Sequence, residues 1–246
     1  MSNKQIIDLS VVIPTLNEEH FIGRLLNSLV KQSVSAKEIV VVDAKSEDKT
    51  IIEIKKRQTV LPQLKFFQIP RYTIASQRNF GVKKTSSENI LFLDADMELK
   101  GEKDLEKYFL EVQKLKPDVA VAKNLPDSNH WKDLVYFKAE DALFKLSKYF
   151  WPVITARNLY IPRKIFTKVG GFNQNIAVAE DQELVHRILK NKGKLIFLKT
   201  VKLHTSTRRV VREGRINYAL KMLIFGIDIM LHGHENSKVD YPFGKL

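Results

Sequence analysis

Short apolar runs alternate with segments of helical period through the first hundred residues. Residues 9–13 (Leu-Ser-Val-Val-Ile) make one such run, stopped by Pro14, and residues 38–42, 64–69 and 90–93 make others. Runs of this length, rich in Val, Ile and Phe and bounded by polar turns, read as buried strands. Between the first two, Phe21, Ile22, Leu25, Leu26, Leu29 and Val30 fall at helical spacing, which predicts a helix over 18–32. Thr15-x-x-Glu18 has the form of a capping box, so Thr15 or Asn17 is expected to cap that helix. Further helices are predicted over 46–57 and 73–84. Strands alternating with helices of this length predict an α/β fold. Its sheet should be Rossmann-like, mostly parallel and right-handed, with helices on its faces.

The second half is less regular. Helices are predicted over 104–115, 130–150, 180–190 and 215–231, and strands over 119–122, 158–161 and 194–198. The 130–150 segment is rich in aromatics: Trp131, Tyr136, Phe137, Phe144, Tyr149, Phe150 and then Trp151. No change of composition marks a boundary, so residues 1–246 are read as one domain. About residues 1–100 form its nucleotide-binding half. About residues 101–246 form its acceptor half, closed by a C-terminal amphipathic helix.

The apolar run at 90–93 ends in Asp94-Ala95-Asp96. Ligands of α/β sheets sit outside the carboxyl ends of the strands, and a dry core cannot neutralise two carboxylates one residue apart there. Hard oxygen ligands of this kind suit Mg²⁺ or Mn²⁺ shared with substrate phosphates. The plain alternative is an exposed Asp-rich turn. The strands ending at Ile13 and Val42 run into Pro14-Thr15-Leu16-Asn17-Glu18 and Asp43-Ala44-Lys45-Ser46. Parallel strands would bring both loops beside the acidic pair.

Composition narrows the classes. The chain has 41 basic against 28 acidic residues, a net charge of +13, which suits nucleic acid, an anionic membrane or phosphorylated substrates. No helix-turn-helix, zinc-finger or RNA-binding aromatic signature supports nucleic acid. The chain lacks cysteine, which excludes disulfides, thiolate metal sites and a cysteine nucleophile, and fits a reducing cytosol. No run approaches the roughly 20 apolar residues of a membrane span, and Met1-Ser2-Asn3-Lys4 leads into a strand without a signal-peptide core. A cytoplasmic protein is expected, with peripheral contact at the inner face of the membrane as an option. Neither a dinucleotide fingerprint nor a P-loop follows the first strands.

The ordered segments Val11-Val12-Ile13-Pro14-Thr15-Leu16-Asn17-Glu18, Ile39-Val40-Val41-Val42-Asp43, Ala75-Ser76-Gln77-Arg78-Asn79-Phe80-Gly81, Ile90 to Asp96, Val169-Gly170-Gly171-Phe172 and Glu180-Asp181 resemble a family 2 glycosyltransferase of the GT-A fold. The resemblance covers about residues 10–204. It implies an inverting, metal-dependent hexosyltransferase that uses a nucleotide-diphosphate sugar. UDP is the default base, with GDP or dTDP as alternatives, and the acceptor is a glycan or polyprenyl lipid. It further implies nucleoside contacts from Pro14, Thr15, Asn17, Glu18 and Asp43, with Arg78 near the diphosphate. Asp94, Ala95 and Asp96 become the metal–diphosphate motif and Asp181 the catalytic base. His204 is placed where relatives carry a metal or phosphate contact.

Two features bear on that resemblance. The family's D-G-S turn is Asp43-Ala44-Lys45 here, without its glycine, and the Q-x-x-R-W motif of processive synthases is replaced by Thr205-Ser206-Thr207-Arg208-Arg209. Transfer of one sugar is therefore expected rather than polymerisation. Residues 201–215 carry Lys202, Arg208, Arg209, Arg212 and Arg215. They form either a solvated basic face or a loop folding over a diphosphate, with Arg208 and Arg209 foremost. The helices at 130–151 and 215–231 either pack on the domain or rest on lipid. The alternative function on the same residues is a non-catalytic nucleotide-sugar or glycan-binding module.

Overall fold

The computed structural model describes residues 4–70, 73–147, 151–154, 157–176 and 178–234. In chain order the elements are β1 (Gln5–Thr15), α1 (Ile22–Val30), β2 (Val34–Asp43), α2 (Thr50–Gln58), β3 (Leu64–Gln68), α3 (Ile74–Lys83), β4 (Asn89–Leu93) and β5 (Met97–Glu98). There follow α4 (Asp104–Leu115), β6 (Val119–Pro126), α5 (Trp131–Ser147), β7 (Asn158–Pro162), α6 (Arg163–Lys168), α7 (Glu180–Lys190), β8 (Leu195–Thr205), α8 (Arg208–Glu213) and α9 (Arg215–His232). The strands form one sheet in the order β3-β2-β1-β4-β7-β6-β8-β5. The first four positions pair in parallel. Beyond them β7 is antiparallel to both β4 and β6, β6 and β8 are parallel, and β5 is antiparallel to β8.

Both faces of the sheet are covered, which is why its central strands read as continuous apolar runs instead of alternating ones. Val11 and Ile13 of β1 point into a core shared with Leu25 and Leu26 of α1, Ile54 of α2 and Tyr108 of α4. Val12 points the other way, into a core with Phe92, Phe166 of α6, Phe172 and Leu184 of α7. Helix α3 approaches β1 closely because Gly81 has no side chain: a Cβ there would lie 2.4 Å from Val12 Cγ1. That approach sets the depth of Arg78 one turn earlier.

Several expectations are revised. The first helix begins at Ile22 with Phe21 as its N-cap and no side-chain cap, so the capping box does not form. Thr15 instead ends β1, in register with Asp43 of β2, and its hydroxyl donates to Asp43 Oδ1 (3.2 Å). The strand runs through Pro14 because β1 beyond Val12 keeps only β2 as a neighbour, a one-sided stretch that tolerates the missing N–H. The second helix starts at Thr50 rather than 46. Residues 201–215 are not a loop: β8 extends to Thr205 and α8 follows. The two-residue strand β5 and the short helices α6 and α8 lie below the length at which periodicity is visible. Of the aromatic segment, Tyr149 and Phe150 lie outside the described residues.

Candidate active site

Because β7 reverses direction twice over, β6 and β8 run the same way as β1, β2 and β4. The carboxyl ends at Thr15, Asp43, Leu93, Pro126 and Thr205 therefore share one edge of the sheet. Everything described below is mounted on that edge.

The first two loops are interlaced by side chains. Asp43 is fully buried, and its carboxylate accepts from the Ser46 amide (2.9 Å), the Ser46 hydroxyl (2.5 Å), Thr15 and Gln68 Nε2 (3.2 Å). Asn17 takes a left-handed backbone (φ 55°), its amide donates to Ser46 Oγ (2.9 Å), and its side-chain oxygen accepts from the Glu47 amide (3.0 Å). The Glu18 amide donates to Thr50 Oγ1 (2.7 Å). Gln77, fully buried on α3, donates to the carbonyls of both Thr15 and Val42 at 2.8 Å, strapping the two strand ends together. Lys45, the third residue of the Asp43-Ala44-Lys45 turn, adopts the left-handed conformation (φ 59°).

The acidic pair follows β4. The Asp94 amide donates to Arg157 O (2.9 Å), continuing the ladder with β7 by one residue. Asp94 Oδ1 accepts from Arg78 Nη2 (2.9 Å), while Arg78 Nη1 donates to Glu180 Oε1 (2.6 Å). Burial opposes charge on Arg78, but the carboxylates of Asp94, Glu180 and Asp181 outweigh it and hold its pKa above the usual arginine range. Burial, with Asp94 adding to it, pushes Asp96 above the ordinary carboxylate range. Ala95, between them, is buried.

Asp181 lies in the first turn of α7 beside Glu180 and Glu183, where acids complement the helix dipole. The chain turns into α7 through Ala179 in a left-handed conformation (φ 60°). Asp181 is half-buried, and its Oδ1 accepts from the Gln182 amide (2.7 Å). Burial raises the Glu180 carboxyl to about 7 against the pull of Arg78.

Helix α8 brings Arg208 to the same edge. Its Nη2 lies 2.5 Å from Glu18 Oε1 and 3.8 Å from Asp96 Oδ2, and its guanidinium carbon is 4.4 Å from the centre of the Phe21 ring. Arg209 exerts a favourable charge on both Glu18 and Asp96. Burial raises Glu18 to about 7 in spite of Arg208, and Glu18 Oε2 is buried without a hydrogen-bond partner.

His204 is not part of this group. It lies inside β8, opposite Glu98 of β5, its Nδ1 3.1 Å from Pro126 O, and the charged groups acting on it are Lys100, Glu98 and Asp104. Among the described residues no three His, Asp or Glu side chains are gathered as a metal set. What the edge does offer is a pair of hard carboxylates, with Asp96 desolvated beside Asp94, and a buried Glu18 oxygen without a hydrogen-bond partner. Hard oxygen donors of this kind would suit a divalent cation, with Asp94 and Asp96 as the residues that would hold it.

Sequence reasoning missed Glu180 and Gln77 as organising residues and Ser46 and Thr50 as loop anchors. Gln77 and Glu180 lie inside the matching segments, while Ser46 and Thr50 lie outside them and carry no signal of their own.

Comparison with known proteins identifies the family and the fold. Residues 10–173 match the family described as glycosyl transferase family 2. Poly(ribitol-phosphate) beta-N-acetylglucosaminyltransferase TarS of Staphylococcus aureus is 38% identical over 91 residues, 35% of this chain and 16% of TarS. GalNAc(5)-diNAcBac-PP-undecaprenol beta-1,3-glucosyltransferase of Campylobacter jejuni is 31% identical over 93 residues, 37% of this chain and 30% of that protein. The matches thus span well under half of these relatives. Among solved structures, S. aureus TarS 1-349 in complex with UDP-GlcNAc superposes with a TM-score of 0.69 at 22% identity, covering 95% of this chain and 68% of that one. Mannosyltransferase PcManGT from Pyrobaculum calidifontis, in complex with GDP-Man and Mn²⁺, gives 0.69 at 20%, covering 91% and 64%. These two show a common fold.

Proposed function

The chain belongs to glycosyl transferase family 2 and has the GT-A fold. From that premise we propose that it moves one sugar, with inversion, from a nucleotide-diphosphate donor to an acceptor hydroxyl or lipid-linked phosphate. The observation that carries this reading is the convergence of Asp94, Asp96, Glu180-Asp181 and Arg208 on one sheet edge, next to the interlaced loops at 14–18 and 43–46.

In this reading the two loops hold the nucleoside. Thr15, Asn17 and Glu18 present the first loop and Asp43 fixes the second, its four accepted hydrogen bonds keeping the turn rigid. Asp94 and Asp96 would hold Mg²⁺ or Mn²⁺. Bound there, such an ion supplies Lewis-acid relief of the charge that builds on the leaving diphosphate. Arg208 and Arg209 supply fork-like donors for phosphate oxygens from the opposite side. Asp181 accepts the proton of the acceptor hydroxyl as its oxygen forms the new bond to the anomeric carbon and the bond to the diphosphate breaks on the other face.

UDP is the favoured base, as in the TarS complex, with GDP and dTDP as the alternatives to be tested. A lipid-linked acceptor is supported by the Campylobacter relative's name and by α9, which turns Ile216, Leu220, Leu223, Ile224, Ile227, Met230 and Leu231 outward at 49–76% exposure. No helix among the described residues is long and apolar enough to cross a membrane. Contact would therefore be peripheral, through an interfacial helix, at the cytoplasmic face.

A panel of UDP-, GDP- and dTDP-sugars with Mn²⁺ or Mg²⁺, read by thermal shift and by release of nucleotide, tests the proposal. A donor present at about 100 times its dissociation constant stabilises by about 2.7 kcal/mol. One donor should give a shift that chelator abolishes. An Asp94→Ala, Asp96→Ala protein that still takes up and turns over that donor in chelator would overturn the reading.

A further inference from the structure

The family resemblance implies a place near the diphosphate for Arg78, yet its side chain is 3% exposed and both arms of its fork are committed. Nη1 donates to Glu180 (2.6 Å) and Nη2 to Asp94 (2.9 Å), while Nε is buried without a partner. The guanidinium carbon lies 5.2 Å from the centre of the Phe172 ring. Its neighbour Asn79 grips the Phe172 backbone in both directions, donating to the carbonyl (2.8 Å) and accepting from the amide (2.9 Å). A guanidinium is planar, and its donors diverge at fixed angles. An arm given to each of two carboxylates therefore fixes the spacing between them. One of these carboxylates belongs to the acidic pair, and the other is the residue before Asp181.

We propose that Arg78 is a positioning residue and not a phosphate ligand. Its fork ties the acidic pair of β4 to the first turn of α7, with Glu180 as the counter-anchor, so that the leaving-group side and the base side of the site hold one geometry. This rests on the reading of Asp94, Asp96 and Asp181 given above. The tie has no slack: the Asp94 backbone is fastened to Arg157, α3 is pressed onto β1 at Gly81, and Asn79 holds the loop that leads to α7. Lysine keeps the charge at position 78, but as a single point it cannot span both carboxylates.

The test compares Arg78→Lys, Glu180→Gln and the double variant with the parent chain in three measurements. These are calorimetric titration with UDP and GDP in Mn²⁺, steady-state kinetics on the donor the parent uses, and thermal melting. Nucleotide affinity and donor KM should stay within about threefold of the parent in each variant, while kcat falls by about tenfold or more. The double variant should lose no more than the worse single one, because both changes break the same tie. If Arg78→Lys weakens nucleotide binding by about tenfold and saturating donor restores kcat, Arg78 is a phosphate ligand and the proposal is wrong. A parent that binds neither nucleotide and transfers no sugar would defeat the functional reading instead. Melting then decides the tie: shared losses in the double variant sustain it, and independently adding losses overturn it.

Discussion

Arg208 and Glu18, separated by 190 residues of sequence, meet at 2.5 Å on the acidic edge of the sheet. The guanidinium carbon lies 4.4 Å from the centre of the Phe21 ring, and Nη2 is also 3.8 Å from Asp96. The pair joins the loop after β1 to α8, the helix after β8. A carboxyl that sits near 7 even with an arginine beside it is strongly desolvated.

Arg208→Ala should therefore destabilise the protein in a pH-dependent way. At pH 8 the Glu18 carboxylate would be left charged and unpaired, and a loss of about 1–3 kcal/mol is expected. At pH 5 Glu18 is already neutral in the folded state, and the loss should be much smaller. Equal losses at the two pH values, by denaturant unfolding, would contradict the assignment.

The parent chain should itself lose stability as pH rises. Glu18 and Glu180 both titrate near 7 in the folded state, above the 4.5 of a free Glu. Between those values the native state binds more protons than the unfolded one, so the free energy of unfolding falls with increasing pH. The effect is absent below about 4.5 and complete above about 7, with at most about 3 kcal/mol from each group. Glu18→Gln should flatten the curve of melting temperature against pH over this window.

Asp181→Asn should separate chemistry from donor binding. Loss of a general base costs typically 10²–10⁴-fold, so kcat should fall by at least about 100-fold. Donor affinity, measured by calorimetry, should hold, since Asp181 sits on α7 and not in the nucleoside loops. Asp96→Asn should do the reverse first, weakening donor uptake in Mn²⁺.

The outward face of α9 makes a prediction about lipid. Leu223→Glu with Ile227→Glu should abolish flotation with vesicles containing anionic lipid. Both positions are exposed, so stability should change by no more than about 0.5 kcal/mol. A parent chain that does not float with such vesicles argues against the lipid-linked acceptor.

Lys45 holds the left-handed backbone of its turn. A left-handed lysine costs about 1–2 kcal/mol, and glycine recovers this less the greater entropy of its unfolded chain. Lys45→Gly should raise stability by about 0.5 kcal/mol, read from the denaturation midpoint. A lowered midpoint would mean that the lysine side chain contributes more than its backbone strain.

Much of the sheet was legible because buried parallel strands must be apolar throughout. Residues 90–93 announced β4, 38–42 the interior of β2, and helix α4 fell on residues 104–115 as its period required. The Asp pair was legible for a related reason, since carboxylates directly after such a strand have no place in a core. What misled was local chemistry. Thr15-x-x-Glu18 has a capping form, but a ladder to β2 and a hydrogen bond to Asp43 outcompeted it, because strand pairing there is set by a neighbour 28 residues away.

The sequence by itself determined the strand–helix alternation, the polar strand ends and the family they belong to, since each follows from residue type and short-range spacing. Only the tertiary structure decided which charges meet. Arg78 closes on Glu180 and Asp94, Arg208 on Glu18, and His204 on the Pro126 carbonyl. Partners of this kind lie on different elements, and their distances follow from strand order, strand direction and how deeply each helix seats on the sheet. No pattern along the chain encodes those three quantities locally.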